Sequence, residues 1–163
     1  MDINEAIKFL DNQIKNPSSG LPEEVFLFIS RLTPMVNVDL LIKDEKGRTL
    51  LSWRNDTFHK SGWHIPGGVV RFKEKFEMRI QKVCESEIGT KVAFDSAPLT
   101  INQIIGNHDT RGHFISILYK GFLSGNYVPM NTGLKERDSG FLRWHDSCPA
   151  NLLDVHEIYR KWI

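Results

Sequence analysis

The chemistry in this 163-residue chain gathers around a glycine turn and two glutamates. After Pro66-Gly67-Gly68 come five residues, Glu74, seven more residues, and then Lys82-Val83-Cys84-Glu85-Ser86-Glu87-Ile88-Gly89. The segment from about 75 to 88 reads as a helix that Gly89 would stop. At about 100° per residue Glu87 shares a helix face with Val83 and Ser86, and Glu85 lies about 200° away, toward solvent. Magnesium takes hard oxygen ligands, commonly one or two carboxylates completed by substrate phosphates. Glu87 is the candidate ligand, and an ion pair with Lys82 is the competing reading. Glu74 either contacts a metal or caps the helix start through the dipole. Gly67 and Gly68 either permit a tight turn or bring backbone close to a ligand. Arg54, Arg71, Lys73, Lys82 and Arg111 are the cations that can meet a small anion, although taken singly most such residues are solvated surface charge. Asp39, inside an apolar stretch, is either satisfied by neighbouring polar groups or turned toward substrate. His59, His64, His145 and His156 show no metal-cluster spacing. Trp53, Phe58 and Trp63 can stack on a purine, but packing is the commoner fate of such rings.

These residues need a scaffold, and the pattern supplies one. Ile7, Leu10 and Ile14 at helical spacing predict a helix over residues 4–15, ended by Asn16-Pro17-Ser18-Ser19-Gly20. Pro22, Glu23 and Glu24 open a second helix running to about 32, since proline suits the first turn and acids suit its positive end. Strands follow over 35–42 and 49–54, with a turn at Asp44-Glu45-Lys46-Gly47 between them. A short apolar stretch at 63–65 leads into a turn at 66–68. Further strands are predicted over 99–105, 114–122 and 141–144, with a last helix over 155–162. Together these make an α/β protein of one domain, residues 1–163, with an N-terminal helical extension of about 32 residues.

Composition narrows the partners. A net charge of +1 with no block of like charge gives no long-range field for a nucleic-acid polymer or a membrane. No apolar run approaches the roughly 18 residues that span a bilayer, and no export signal is visible at the start. Two cysteines, Cys84 and Cys148, suit a reduced, cytoplasmic setting rather than a disulfide framework.

The segment from Gly68 to Gly89, with its lead-in Trp63-His64-Ile65-Pro66-Gly67, resembles the Nudix box, G-x5-E-x7-R-E-U-x-E-E-x-G-U with U an apolar residue. Gly68, Glu74, Glu87 and Gly89 match in register, Lys82 replaces the arginine, and Val83 and Ser86 stand where the family places acids. The chain is most similar to the GDP-mannose mannosyl hydrolase branch, which also keeps only the last glutamate. Arg31-Leu32-Thr33-Pro34-Met35-Val36 with Asp39, the 50–55 strand end, Arg143-Trp144 and Val155-His156 all look like that branch.

The resemblance implies a Nudix-type α/β/α sandwich around a mixed sheet and a magnesium-dependent hydrolase, with manganese as the alternative ion. Its substrate would be a GDP-mannose-like nucleotide sugar, cleaved by water at the anomeric carbon, and the first two helices would serve a homodimer. The Gly67 carbonyl and Glu87 would hold the metal, Arg54 the leaving diphosphate, and Asp39 the sugar; Arg71 and Lys82 are further substrate contacts, and Glu74 a further metal ligand. Counting back from Arg143, Asp138 falls where the branch has a metal-binding glutamine, and Ser139 where it has a histidine base. A hydroxyl cannot replace that base near neutral pH. His108 is the preferred substitute, with His113, Glu136 and Asp138 as alternatives. Two other readings stand beside this one: phosphorus attack on a nucleotide pyrophosphate, and a nucleotide-sugar binding domain without catalysis.

Overall fold

The computed structural model describes residues 2–55 and 60–163. Helix α1 spans Ile3–Gln13, opened by a reciprocal cap in which the Asp2 carboxylate accepts the Glu5 N–H and the Glu5 carboxylate accepts the Asp2 N–H. Helix α2, Glu23–Ile29, follows Pro22 with Glu23 and Glu24 in its first turn. Strands β1 (Met35–Lys43) and β2 (Thr49–Arg54) come next, then β3 (Gly62–His64) and β4 (Gly67–Val69). Helix α3 is Phe76–Val83, followed by a π turn over Cys84–Ile88. The remaining elements are β5 (Ala93–Phe94), β6 (Thr100–Ile105), β7 (His113–Phe122), β8 (Leu142–His145) and a 3-10 helix, Asp154–Trp162.

Eight strands among the described residues form one mixed sheet, with β1 parallel to β7 and the other pairings antiparallel. Alternation along β1 divides the core. Val38, Leu40 and Ile42 pack against Ile80, Val83 and Ile88 of the box helix and its π turn. Leu41 packs on the opposite face with Leu51, Trp53, Trp63 and Tyr159. Because side chains alternate with period two, Asp39 shares the face of Leu41. The helical layers therefore differ: α3 covers one face and the 3-10 helix the other, which bears out the α/β/α arrangement.

Strands β1 and β2 pair only at the hairpin base, Lys43 with Thr49, and beyond it β4 takes the edge of β1 from Asn37 to Asp39. Arg54 ends β2 on the far side of this divergence, and the opening between the strands is where the site forms.

Three expectations change. The turn expected at 66–68 is partly strand, because Gly67 and Gly68 ladder onto β1. The box helix stops being an α-helix at Val83, and Gly89, at φ 75°, closes a wider turn by donating its N–H to the Cys84 carbonyl. Helix-wheel angles based on 3.6 residues per turn thus do not carry as far as Glu87, although Glu85 does face solvent as expected. The last helix is 3-10, whose three-residue turn eclipses every third side chain. This aligns His156, Tyr159 and Trp162, with ring centroids 5.4 and 6.2 Å apart.

Helix α1 has no buried residue, and its Ile3, Ile7 and Phe9 stay exposed. No helix among the described residues is long and apolar enough to cross a membrane.

Candidate active site

A cavity of about 270 Å³ opens between β1, β4, the end of β2 and the 106–112 loop. Asn37 and Asp39 of β1 form part of its lining, Arg54 stands at the end of β2, and His108, Arg111 and His156 come from the loop and the 3-10 helix. Gly67 and Gly68 bring bare backbone to the same wall.

Asp39 is almost fully buried, 2% exposed, and its oxygens are heavily used. Asn37 Nδ2 donates to Oδ1 at 2.7 Å, Tyr159 donates its hydroxyl to Oδ2 at 2.8 Å, and the Ser116 hydroxyl also donates to Oδ2. Burial nevertheless dominates and pushes the carboxyl up to about 6, against these hydrogen bonds and the Arg54 charge.

Glu87 borders the site from the π turn. Burial pushes its carboxyl up to about 7, opposed by the Arg54 charge, reinforced by Asp39, and opposed again by the Gly67 backbone N–H. Strand geometry explains why Gly67 faces Glu87. The bonds from Leu40 N–H to the Pro66 carbonyl and from Val70 N–H to the Val36 carbonyl fix the antiparallel alternation. This makes Asp39 and Gly67 a non-hydrogen-bonded pair, so the N–H and C=O of Gly67 both turn away from β1. The C=O of Gly67 thus lies on the side from which its N–H acts on Glu87. One half-buried carboxylate and one carbonyl without a ladder partner on β1 match a divalent cation that takes its remaining ligands from water and phosphate. Among the described residues no group of three or more His, Cys, Asp or Glu could hold a metal by itself.

The structure thus brings together Asp39, Arg54, Gly67, Glu87 and His108. Other residues singled out from the sequence lie elsewhere. Glu74, its side chain 2% exposed, is committed to cations, with Arg79 Nη2 at 2.7 Å and Lys82 Nζ at 2.8 Å, and it also accepts the Arg71 N–H. Burial works against its charge, but those hydrogen bonds prevail and hold its carboxyl at about 2. Lys82 is therefore the partner of Glu74, not of Glu87. The Arg71 guanidinium reaches the Ser19 carbonyl and lines a separate groove against the N-terminal helices. Asp138 is exposed, and its carboxylate accepts the Lys135 N–H in a tight turn. Ser139, at the expected base position, is a structural clamp: its hydroxyl accepts the Asn55 N–H and donates to the Asn55 carbonyl. Among the alternative bases, Glu136 pairs with Arg143 at 2.6 Å, and His113 Nε2 lies 2.9 Å from Gln103 Nε2. Trp53 and Trp63 are buried edge-to-face in the core, and Phe58 and His59 fall outside the described residues.

The sequence places Val155-His156 in the family resemblance but gives His156 no role in the site. His156 is buried in the cavity wall, and its Nδ1 accepts the Ile65 N–H at 3.0 Å, so the neutral ring carries its proton on Nε2. With Nδ1 engaged by the Ile65 N–H, the ring is poorly suited to take a proton. The three-residue spacing of His156, Tyr159 and Trp162 was the available signal, and it is legible only once the helix is known to be 3-10.

No family model matches the chain. The low-salt glycan biosynthesis protein Agl8 of Haloferax volcanii is 27% identical over 125 residues, covering 74% of this chain and 80% of its own. Among solved structures, the MutT NUDIX hydrolase of Burkholderia pseudomallei superposes with a TM-score of 0.61 at 22% identity, over 80% of this chain and 98% of that one. A possible asymmetric diadenosine tetraphosphate hydrolase of Jonesia denitrificans superposes with a TM-score of 0.60 at 20% identity, over 80% and 92% of the two chains. At these identities the likeness establishes a shared architecture.

Proposed function

This chain has the Nudix hydrolase fold, and we propose that it is a divalent-metal-dependent hydrolase of nucleoside-diphosphate compounds, with nucleotide sugars of the GDP-mannose type as its substrates. The observation that carries this reading is the convergence of Asp39, Arg54, His108 and the Gly67 backbone on one cavity, with Glu87 at its edge. A glycan biosynthesis protein among the relatives supports a sugar-bearing substrate.

Glu87 and the Gly67 carbonyl would hold magnesium, or manganese in its place, and the bound ion would neutralise charge on the leaving diphosphate. Arg54 would bind the same diphosphate through its guanidinium fork. Asp39, fixed by Asn37, Ser116 and Tyr159, would orient the sugar. His108 would take the proton of the attacking water as its oxygen bonds to the anomeric carbon and the bond from that carbon to the phosphate oxygen breaks, releasing a nucleoside diphosphate. The setting we propose is cytoplasmic, and the exposed apolar side chains of α1 support a homodimer.

Ser139 favours a second reading. With its hydroxyl locked to Asn55, nothing at the position expected for the base can accept a proton, and a domain that binds nucleotide sugars without turnover would tolerate this. Incubating a panel of nucleotide sugars and dinucleotides with magnesium in heavy-oxygen water separates the readings. Label in the sugar supports attack at carbon, label in phosphate transfers the proposal to attack at phosphorus, and tight binding without turnover favours the binding domain.

A further inference from the structure

A second cation of the cavity is held in place by a part of the chain far from the box. Arg111 has φ 55°, a left-handed backbone conformation that side-chain-bearing residues rarely adopt. Such strain persists only where surrounding structure enforces it, and it concentrates at ligand clamps. Here the enforcement is visible on both sides of the residue. The Arg111 N–H donates to the hydroxyl of Ser30 at 2.9 Å, and that hydroxyl donates to the Leu27 carbonyl at 2.8 Å. Ser30 is buried and forms the C-cap of α2. The Arg111 guanidinium carbon lies 5.7 Å from the centroid of Phe26, also on α2. On the loop side, Gly106 N–H donates to the Gly112 carbonyl at 2.7 Å, and a Cβ on Gly112 would overlap the His108 carbonyl. The loop therefore closes on itself and presents His108 and Arg111 at the same rim.

Charge gives this geometry a purpose. A diphosphate ester carries about two negative charges and gains another as it leaves. Arg54 supplies one guanidinium to the cavity; Arg111 lines it as well. A guanidinium held against an aromatic face by cation–π attraction has less freedom to lose on binding, which suits recognition of phosphate oxygens. We propose that Arg111 is a diphosphate-binding residue opposed to Arg54, and that helix α2 acts as its positioning element through Ser30 and Phe26. This rests on the reading of the cavity as a diphosphate site. It assigns the N-terminal extension a direct part in substrate affinity.

The test is calorimetric titration of the full chain with inorganic pyrophosphate and with GDP, each with magnesium, for wild type, Arg111→Ala, Arg111→Gln, Ser30→Ala and Ser30→Thr. Thermal melts verify that each variant is folded, and Arg111→Gln keeps most of the side-chain volume should Arg111→Ala fold poorly. Loss of a charge-assisted contact should weaken both ligands about tenfold or more in the two Arg111 variants and reduce the salt dependence of binding. Ser30→Ala should weaken them several-fold, with recovery in Ser30→Thr, whose hydroxyl can again accept the Arg111 N–H. A folded Arg111 variant that binds both ligands like wild type, with unchanged salt dependence, overturns the assignment while leaving the diphosphate reading intact. Wild type that binds neither ligand overturns both.

Discussion

Gly67 stands directly across from Asp39 in the β1–β4 ladder, and a Cβ on Gly67 would overlap Asp39 Oδ1 and come within 2.7 Å of the Val38 carbonyl. The space a side chain would take is the space the buried carboxylate uses, so the glycine is needed for the cavity as much as for the turn. Gly67→Ala should push Asp39 from its partners or unpair β4. Divalent-cation affinity and turnover are expected to fall at least about tenfold, with a melting temperature lower by roughly 4–8 °C for about 2 kcal/mol of overpacking. Kinetics and a thermal melt on the same sample check both parts; wild-type behaviour in each would mean the close approach has no consequence.

Glu74 gives the clearest separation between a structural and a metal-binding carboxylate. Its ion pairs with Arg79 and Lys82 mean that Glu74→Gln leaves the buried Arg79 charge without its counter-ion. A loss of about 3 kcal/mol is expected. The Glu74 carboxyl is held at about 2 against an ordinary 4.5, so its contribution is complete above pH 4.5 and is lost as pH falls toward 2. Glu74→Gln should therefore flatten the acid limb of the stability curve and leave magnesium affinity unchanged. A collapse of magnesium affinity at intact stability would instead make it a ligand.

Glu87 and Asp39 shift the other way, to about 7 and about 6 from 4.5 and 3.8. An acid whose folded value is raised contributes stability below its unfolded value and loses it as pH rises through the folded one. The metal-free protein should thus become less stable from about pH 4 to pH 8, and magnesium should restore stability most above pH 7. A cation competes with the proton on Glu87, so magnesium affinity should rise up to about tenfold per pH unit below 7 and level off above. Melts with and without magnesium at pH 5, 6, 7 and 8 report this directly, and a restoration independent of pH would remove Glu87 from the cation site.

His108 and Ser139 carry opposite expectations. His108→Ala should lower kcat about 100-fold or more with little change in KM, as for loss of a general base. Ser139→Ala should lower stability by about 1 kcal/mol through the two lost bonds to Asn55 and leave the pH profile of kcat in place. Full activity in His108→Ala would move the base elsewhere in the cavity.

What the sequence reveals follows from how local each signal is. The strand over Thr49–Arg54 coincides with the reading because its apolar residues and flanking turns are contiguous. Asp39, Arg54, Gly67 and Glu87 were legible as a set through the box and its neighbours. Strand β4 was not, since two adjacent glycines signal a turn and their ladder onto β1 is a pairing with a strand about 30 residues away, beyond the reach of local pattern. Nor could the spacing show that Glu74 spends its charge on Arg79 and Lys82, or that Asp138 and Ser139 close a surface turn and a strand end. The place of Arg111 depends on Ser30, a contact across 81 positions that no local pattern encodes.

Whether Glu87 and Gly67 grip a divalent cation against linked phosphates is read from titration of GDP into wild type and Glu87→Gln, with magnesium and with a chelator. Binding should be tight only for wild type with magnesium and weaken about 100-fold when either the cation or the Glu87 charge is removed. Equal binding in all four conditions would contradict such a grip.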